Sequence, residues 1–107
     1  FMDHHRTVRV GDEFDFDLDS AHFAGMWNPG WPGGAGGTTG VLGFLVDTRD
    51  EVDETVARMA AAGHPVQMAP MDAFWGSRYA VIEDPDGNAV GIKSVPDPDA
   101  RTRPPTP

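Results

Sequence analysis

Residues 74–93 of this chain read FWGSRYAVIEDPDGNAVGIK, and this stretch decides the fold. Two short apolar segments flank the turn formed by Asp84-Pro-Asp-Gly-Asn88. The proline of this turn fixes its own φ, the Asp and Asn side chains can bond nearby backbone groups, and the glycine accepts a positive φ. The stretch therefore predicts two antiparallel strands joined by a tight turn, over residues 77–83 and 89–93.

A strand, a helix and another strand are predicted before this hairpin. Residues 41–46 form a continuous apolar run, which is typical of a buried strand. A capping box then opens a helix over about residues 50–62, and a short strand follows near residues 65–68. One stripe of this helix is apolar and should face a sheet: Val52, Val56 and Met59. The predicted order over residues 40–95 is β-α-β-β-β.

The first part of the chain alternates apolar and polar residues, as strands with one buried face do. We predict three short strands there, over residues 6–10, 14–18 and 22–27, and no helix. The middle strand is expected to bury Phe14, Phe16 and Leu18. Its acidic residues form either a solvated surface or a negative wall that attracts a basic ligand, and they are Glu13, Asp15, Asp17 and Asp19.

Two segments are rich in glycine and proline. Residues 29–39 are predicted to form a loop, because this composition excludes helix and strand. Residues 96–107 contain five of the ten prolines and almost no apolar residue, which predicts a flexible tail. We expect a single domain over residues 1–95.

The composition narrows the classes of function. The chain has 17 Asp and Glu residues against 8 Lys and Arg, a net charge of -9, so it lacks the basic face that nucleic-acid binding needs. No apolar run reaches the length of a membrane span, and the absence of cysteine excludes disulfides and thiolate ligands. These features predict a cytoplasmic protein whose partners are cationic or neutral small molecules. No constellation typical of nucleophilic catalysis is found, so no catalytic residue is predicted.

The predicted element order resembles that of the vicinal oxygen chelate superfamily, which includes glyoxalases, bleomycin-resistance proteins and extradiol dioxygenases. The resemblance rests on Phe74-Trp-Gly-Ser-Arg-Tyr79 followed by Asp84-Pro-Asp-Gly-Asn88. It implies an α+β fold in which two modules form a half-open barrel around a cavity. Residues 40–95 correspond to a complete second module, and residues 4–28 to a shortened first module of three strands. Because modules of this family pair edge to edge, we also expect a homodimer.

Metal-dependent members of the superfamily hold a divalent ion with His, Glu or similar residues from both modules. The resemblance places the corresponding positions at Val41, Gly91 and Gly25. Neither valine nor glycine offers a side-chain ligand. We therefore expect no metal and no cofactor at this site.

The resemblance and the tryptophans together predict a ligand site between the sheets. The favoured function is the metal-independent binding or sequestration of a small aromatic or cationic compound, as in bleomycin-resistance proteins. A metal-dependent lyase, isomerase or dioxygenase is the alternative, and a structural domain without a small ligand is a third possibility. The tryptophans could equally be core residues, and the basic residues could pair with surface carboxylates. The candidate ligand-binding residues are Phe23, Gly25, Trp27, Trp31, Val41, Trp75, Arg78, Gly91 and Lys93.

Overall fold

The computed structural model of the chain describes residues 4–31 and 40–104. These residues form an α+β structure with two sheets and two α-helices. In chain order the elements are β1 (His5–Val10), β2 (Phe14–Asp19), α1 (Ala21–Trp27), β3 (Val41–Val46), α2 (Arg49–Ala61), β4 (Val66–Asp72), β5 (Arg78–Glu83) and β6 (Ala89–Ser94).

The second part of the chain is the predicted β-α-β-β-β unit. Its four strands lie in the order β3-β6-β5-β4, with β3 parallel to β6 and the other pairs antiparallel. The capping box is confirmed, since the Oγ1 of Thr48 accepts a hydrogen bond from the backbone N–H of Glu51 at 3.2 Å. Helix α2 begins and ends one residue before the predicted bounds.

The four-stranded sheet has two faces, and we call the one that carries α2 the outer face. Val52 and Val56 of α2 are buried there against Ala80, Ile82 and Ile92. Because side chains alternate along a strand, the neighbouring residues point to the opposite face, which we call the inner face. It presents Tyr79, Val81, Ala89, Gly91 and Lys93.

Strands β1 and β2 form a separate antiparallel hairpin with one polar and one apolar face. The polar face carries cross-strand pairs of His5 with Asp19, Thr7 with Asp17, and Arg9 with Asp15. The apolar face is 51–57% exposed at each of its large side chains: Val8, Val10, Phe14, Phe16 and Leu18. The alternation of β2 was predicted correctly, but the expected burial of Phe14, Phe16 and Leu18 is wrong for the chain by itself.

The third strand predicted in the first part is wrong, because residues 22–27 belong to helix α1. Ser20 caps this helix, its Oγ accepting a hydrogen bond from the backbone N–H of Phe23 at 3.0 Å. Phe23 and Trp27 are four residues apart and lie on one face of the helix. Residues that are an even number apart also share one face of a strand. Over so short a segment, the spacing of these two residues therefore fits both a helix and a strand.

The segment after β6 differs from the flexible tail that its composition predicts. Its backbone is tied to the loop between β4 and β5 by two hydrogen bonds, from Asp97 N–H to the Gly76 carbonyl (3.1 Å) and from Thr102 N–H to the Phe74 carbonyl (2.9 Å). A short 3-10 helix, Pro98–Ala100, lies between these two attachments. Glycine is required at Gly76, where φ is +97° and an added Cβ would collide with the Asp97 backbone.

Two predicted segments fall partly outside the described residues, namely 32–39 of the Gly/Pro loop and the last three residues of the tail. The domain bounds proposed from the sequence stay a prediction. Neither helix in the described ranges has both the length and the apolar character needed to span a membrane.

Candidate functional site

An aromatic cluster covers the inner face of the four-stranded sheet, and Tyr79 is at its centre. Tyr79 is the only tyrosine of the chain and is 8% exposed. Its ring centroid lies 5.4 Å from that of Trp27 and 5.7 Å from that of Trp75. These separations are typical of aromatic pairs that pack in tilted or edge-to-face arrangements.

Gly91 lies beneath Tyr79 on the neighbouring strand. A Cβ atom added at Gly91 would lie 2.8 Å from the Tyr79 Oη, 3.0 Å from its Cε1 and 3.2 Å from the Val41 Cγ1. Real Cβ atoms essentially never come as close as 2.8 Å to another heavy atom. Tyr79 and Val41 therefore fill the volume that a side chain at Gly91 would need.

The hairpin contributes an acidic edge to this cluster. The indole Nε1–H of Trp27 donates to Asp19 at 3.0 Å, and Asp19 also bonds to the His5 ring. One turn earlier on the same face of α1, the ring of Phe23 lies 5.9 Å from His5 and 6.2 Å from Phe74. Helix α1 thus joins the polar face of the hairpin to the aromatic cluster.

The phenol of Tyr79 is a neutral hydrogen-bond donor at ordinary pH. Burial is the main cause that raises its pKa, to about 12, and the negative charges of Asp19 and Asp17 add to the effect. Both causes disfavour the phenolate, because it would be poorly hydrated and would lie near two carboxylates. The hydrogen bond from Trp27 to Asp19 places the polar face of the hairpin toward the aromatic cluster.

The structure brings together five of the predicted site residues on or over the inner face. Val41, Gly91 and Lys93 belong to the sheet itself, and Trp27 and Trp75 pack over it. Phe23 is buried behind them at 3% exposure, which makes it a core residue.

Arg78 does not belong to this group, because its strand position points it to the outer face. Its guanidinium donates to Asp53 at 3.1 Å and to Asp72 at 3.3 Å. The hydrogen bond to Asp53 is the largest cause that raises the pKa of Arg78. Arg78 therefore joins α2 to the sheet, as the alternative of surface pairing predicted.

Gly25 and Trp31 lie outside the four-stranded sheet. Gly25 lies in the middle of α1 beside open space, so its assignment to a strand position that faces a cavity is wrong. Trp31 lies at the start of the Gly/Pro loop, where its backbone N–H donates to the Asn28 carbonyl at 3.1 Å. Asn28 fixes this region to β4, since its Nδ2 donates to the Gln67 side chain at 2.7 Å.

A divalent metal does not fit the positions that the resemblance assigns to one. Gly91 has no room for a ligating side chain, Val41 presents a methyl group to it, and Gly25 is in a helix. Among the described residues there is also no cluster of three or more His, Asp or Glu side chains arranged to hold an ion. We derive no chemistry through a metal here.

The residue that sequence analysis missed is Tyr79. Tyr79 ends the stretch that carries the resemblance, and the alternation along β5 places it on the same face as Val81. Its importance follows from the neighbouring strand, where the glycine opposite leaves space for the ring. That pairing depends on the strand register, which a single sequence does not give.

The fold and this inner face define a class of protein: a four-stranded sheet with a helix on its outer face and an aromatic cluster on its inner face. A family model supports this and names the class. The Glyoxalase/Bleomycin resistance protein/Dioxygenase superfamily model matches residues 5–92. The chain therefore belongs to this superfamily, which confirms the resemblance seen in the sequence.

Solved structures share the fold of this chain. A glyoxalase/bleomycin resistance protein/dioxygenase family enzyme from Burkholderia phytofirmans is 25% identical, with a TM-score of 0.53, over 86% of this chain and 72% of that one. A Nocardioides protein with the same family description is 19% identical, with a TM-score of 0.50, over 92% and 66%. A Legionella pneumophila protein described as NAD-dependent benzaldehyde dehydrogenase is 16% identical, with a TM-score of 0.61, over 86% and 72%. No curated protein matches the chain.

Proposed function

We propose that this chain binds a small aromatic compound on the inner face without the help of a metal, in the manner of bleomycin-resistance proteins. The observation that carries the proposal is the aromatic cluster of Trp27, Trp75 and Tyr79 around the side-chain-free position at Gly91. Flat rings at this spacing offer edges and faces to another planar ring. The cytoplasmic location predicted from the composition remains part of this proposal.

A second version of this proposal is that the ligand carries a cationic group. The acidic residues of β2 favour it, because Asp17 and Asp19 lie close enough to Tyr79 to raise the pKa of its phenol. Both carboxylates already accept hydrogen bonds from other side chains, Asp17 from Thr7 and Asp19 from Trp27. They contribute a negative potential rather than a free ligand for the cation.

Tryptophan fluorescence tests the aromatic site directly. Benzamide, a neutral planar probe, is expected to quench the fluorescence in a saturable way. Replacing Trp27 by alanine should weaken its binding roughly fivefold, because an aromatic pair contributes about 1 kcal/mol. Glu54→Ala, on the exposed side of α2, is the control and should leave binding unchanged. Quenching that is linear in probe concentration, or equal binding by both variants, would contradict the proposal.

The alternative of a metal-dependent lyase, isomerase or dioxygenase makes a different prediction. It requires one tightly held divalent ion in each chain. Elemental analysis after purification without a chelator distinguishes the two. A stoichiometric Zn²⁺, Ni²⁺ or Fe²⁺ whose first shell includes His22 or Glu83 would replace the proposal made here.

We also propose that the chain forms a homodimer through its exposed apolar surfaces. Beside the apolar face of the hairpin, strand β3 exposes 59% of Leu42, 52% of Phe44 and 59% of Leu45. Half-exposed side chains of this size leave roughly 100 Å² each, so these eight residues expose about 800 Å² in total, divided among the hairpin face and the two faces of β3. A standard interface buries about that area on each partner.

Light scattering tests the dimer. The protein should have twice the mass of one chain at micromolar concentration, and Phe16→Asp should shift it toward one chain or make it aggregate. Glu54→Gln, on the exposed side of α2, is the control and should stay dimeric. A fully soluble monomer of the unaltered chain would overturn this part of the proposal.

A further inference from the structure

The inner face pairs the only lysine of the chain with its only tyrosine. Lys93 on β6 and Tyr79 on β5 are direct cross-strand partners in an antiparallel pair, so their side chains leave the sheet on the same face. The Cβ atoms of such partners lie about 5 Å apart. The two side chains are thus adjacent at the base of the aromatic cluster.

Lys93 has a charge that the described residues do not neutralise. The chain has 17 carboxylate side chains; among the described arginines, Arg9 and Arg49 each contact one and Arg78 contacts two. No hydrogen bond or ion pair connects Lys93 with any residue in the described ranges, although the residue is partly buried. A partly buried ammonium group without a carboxylate partner is costly, and a ligand that supplies the acceptor lowers that cost.

Tyr79 contributes a second donor that is also without an acceptor among the residues described. Its hydroxyl oxygen is the atom nearest to the Cβ position at Gly91, so the O–H group lies over the open backbone of β6. The phenol is protonated at neutral pH, as its raised pKa shows. It can donate a hydrogen bond but is not a general base under these conditions.

We infer that Lys93 and Tyr79 form a subsite for an acceptor oxygen, and that the ligand is an aromatic carboxylate. The ring of the ligand packs against Trp27 or Trp75, and its carboxylate accepts from the ammonium group of Lys93 and the hydroxyl of Tyr79. This inference rests on the proposed function and narrows it, because it selects an anionic oxygen in place of a cationic group.

The charges that face this subsite are consistent with a single carboxylate. Asp17 and Asp19 are the acidic groups that act on Tyr79, and both are engaged on the hairpin side. The His5 ring also forms a hydrogen bond with Asp19 on this side. Lys93 is the one cationic side chain that the sheet presents on the inner face among the described residues.

Three probes with the same ring test the inference: benzoate, benzamide and benzamidine. We expect benzoate to bind at least tenfold more tightly than benzamidine, since hydrogen bonds to charged groups contribute about 1.5–3 kcal/mol. Lys93→Gln should remove most of the advantage of benzoate over benzamide and weaken benzamide binding much less than benzoate binding, because the amide oxygen of benzamide carries no net charge. Lys93→Arg should keep the advantage, and Tyr79→Phe should reduce it. Arg58→Gln removes an exposed charge on α2 and serves as the matched control.

The outcomes separate this inference from the proposed function. If all three probes bind equally, or if benzamidine binds best, the subsite is wrong while the aromatic site stands. If the preference for benzoate survives in Lys93→Gln that is folded by circular dichroism, the assignment to Lys93 is overturned. If benzoate gives no saturable signal up to its solubility limit, the inference fails, and if benzamide also gives none, the proposed function fails with it.

Discussion

Replacing Gly91 by alanine tests whether Tyr79 and Val41 occupy the inner face as the structure describes. The new methyl carbon would lie 2.8 Å from the Tyr79 Oη and 3.0 Å from its Cε1. Tyr79 is buried between Trp27 and Trp75, so its ring has little freedom to move away. Relief of the clash requires the aromatic cluster to repack.

The magnitude follows from two opposing effects. Inserting a methyl group into a packed site costs about 1–3 kcal/mol. Restricting the unfolded chain by a change from glycine to alanine returns about 0.4–1 kcal/mol. We therefore expect Gly91→Ala to lower the free energy of unfolding by about 1–2 kcal/mol, which corresponds to a Tm lower by roughly 4–16 °C.

Gly43 provides the matched control, because it is the register partner of Gly91 on the neighbouring strand. An added Cβ at Gly43 meets no atom within 4 Å, so Gly43→Ala should be neutral or stabilising. Urea denaturation followed by tryptophan fluorescence measures both variants, and equal m-values ensure that the same unfolding is compared. In Tyr79→Phe the cost of Gly91→Ala should fall, because the nearest atom is removed. If the two alanine variants prove equally stable, the described packing of Tyr79 over Gly91 is wrong.

Three further predictions concern the groups around this site. The absorbance of the single tyrosine should titrate near pH 12 instead of pH 10. Because the pKa is higher in the folded protein, Tyr79 contributes about 2–3 kcal/mol to the free energy of unfolding below pH 10, and this contribution is lost as the pH rises toward 12. A titration midpoint near pH 10 in the folded protein would contradict this. Asn28→Ala should lower the free energy of unfolding by about 1–3 kcal/mol in urea, because it leaves Gln67 and the Gly30 N–H without their partner, and an unchanged midpoint would refute it. Asp53→Asn should lower the free energy of unfolding by less than about 1 kcal/mol, and by less still in high salt, because the ion pair between Asp53 and Arg78 is partly exposed. A larger decrease that does not depend on salt would show that the pair is not a surface interaction.

The β-α-β-β-β unit could be predicted from the sequence because its signals are local and agree with one another. The capping box, the apolar stripe of α2 and the turn of residues 84–88 each specify one element without reference to the rest of the chain. The turn is confirmed in detail: Asp84 accepts from the backbone N–H groups of Asp86 and Asn88. Its bonds with Asn88 are the largest cause that lowers the pKa of the Asp84 carboxyl.

The first part of the chain was harder because its signals are ambiguous. Residues 22–27 are too short for periodicity to distinguish a helix from a strand, and Ser20 is equally typical of a turn and of an N-cap. The alternation of β2 correctly separates two faces, but it does not say which face is covered. Phe14 and Phe16 are half exposed in the chain by itself. The hydrophobic pattern therefore predicts an apolar face, but a single chain leaves this face exposed.

The candidate site could be predicted only as a set of positions, because its chemistry depends on which residues share a volume. Gly91 was identified from the sequence as a position without a metal ligand. The structure adds that the volume above it belongs to Tyr79, a residue twelve positions earlier on the adjacent strand. A carboxylate side chain introduced at position 91 would therefore collide with the phenol of Tyr79. Metal binding and the present aromatic packing exclude each other at this position. The side chain that fills the site also supplies a neutral donor beside Lys93, and this is why we expect binding of an acceptor oxygen where the superfamily's metal-dependent members would hold a cation.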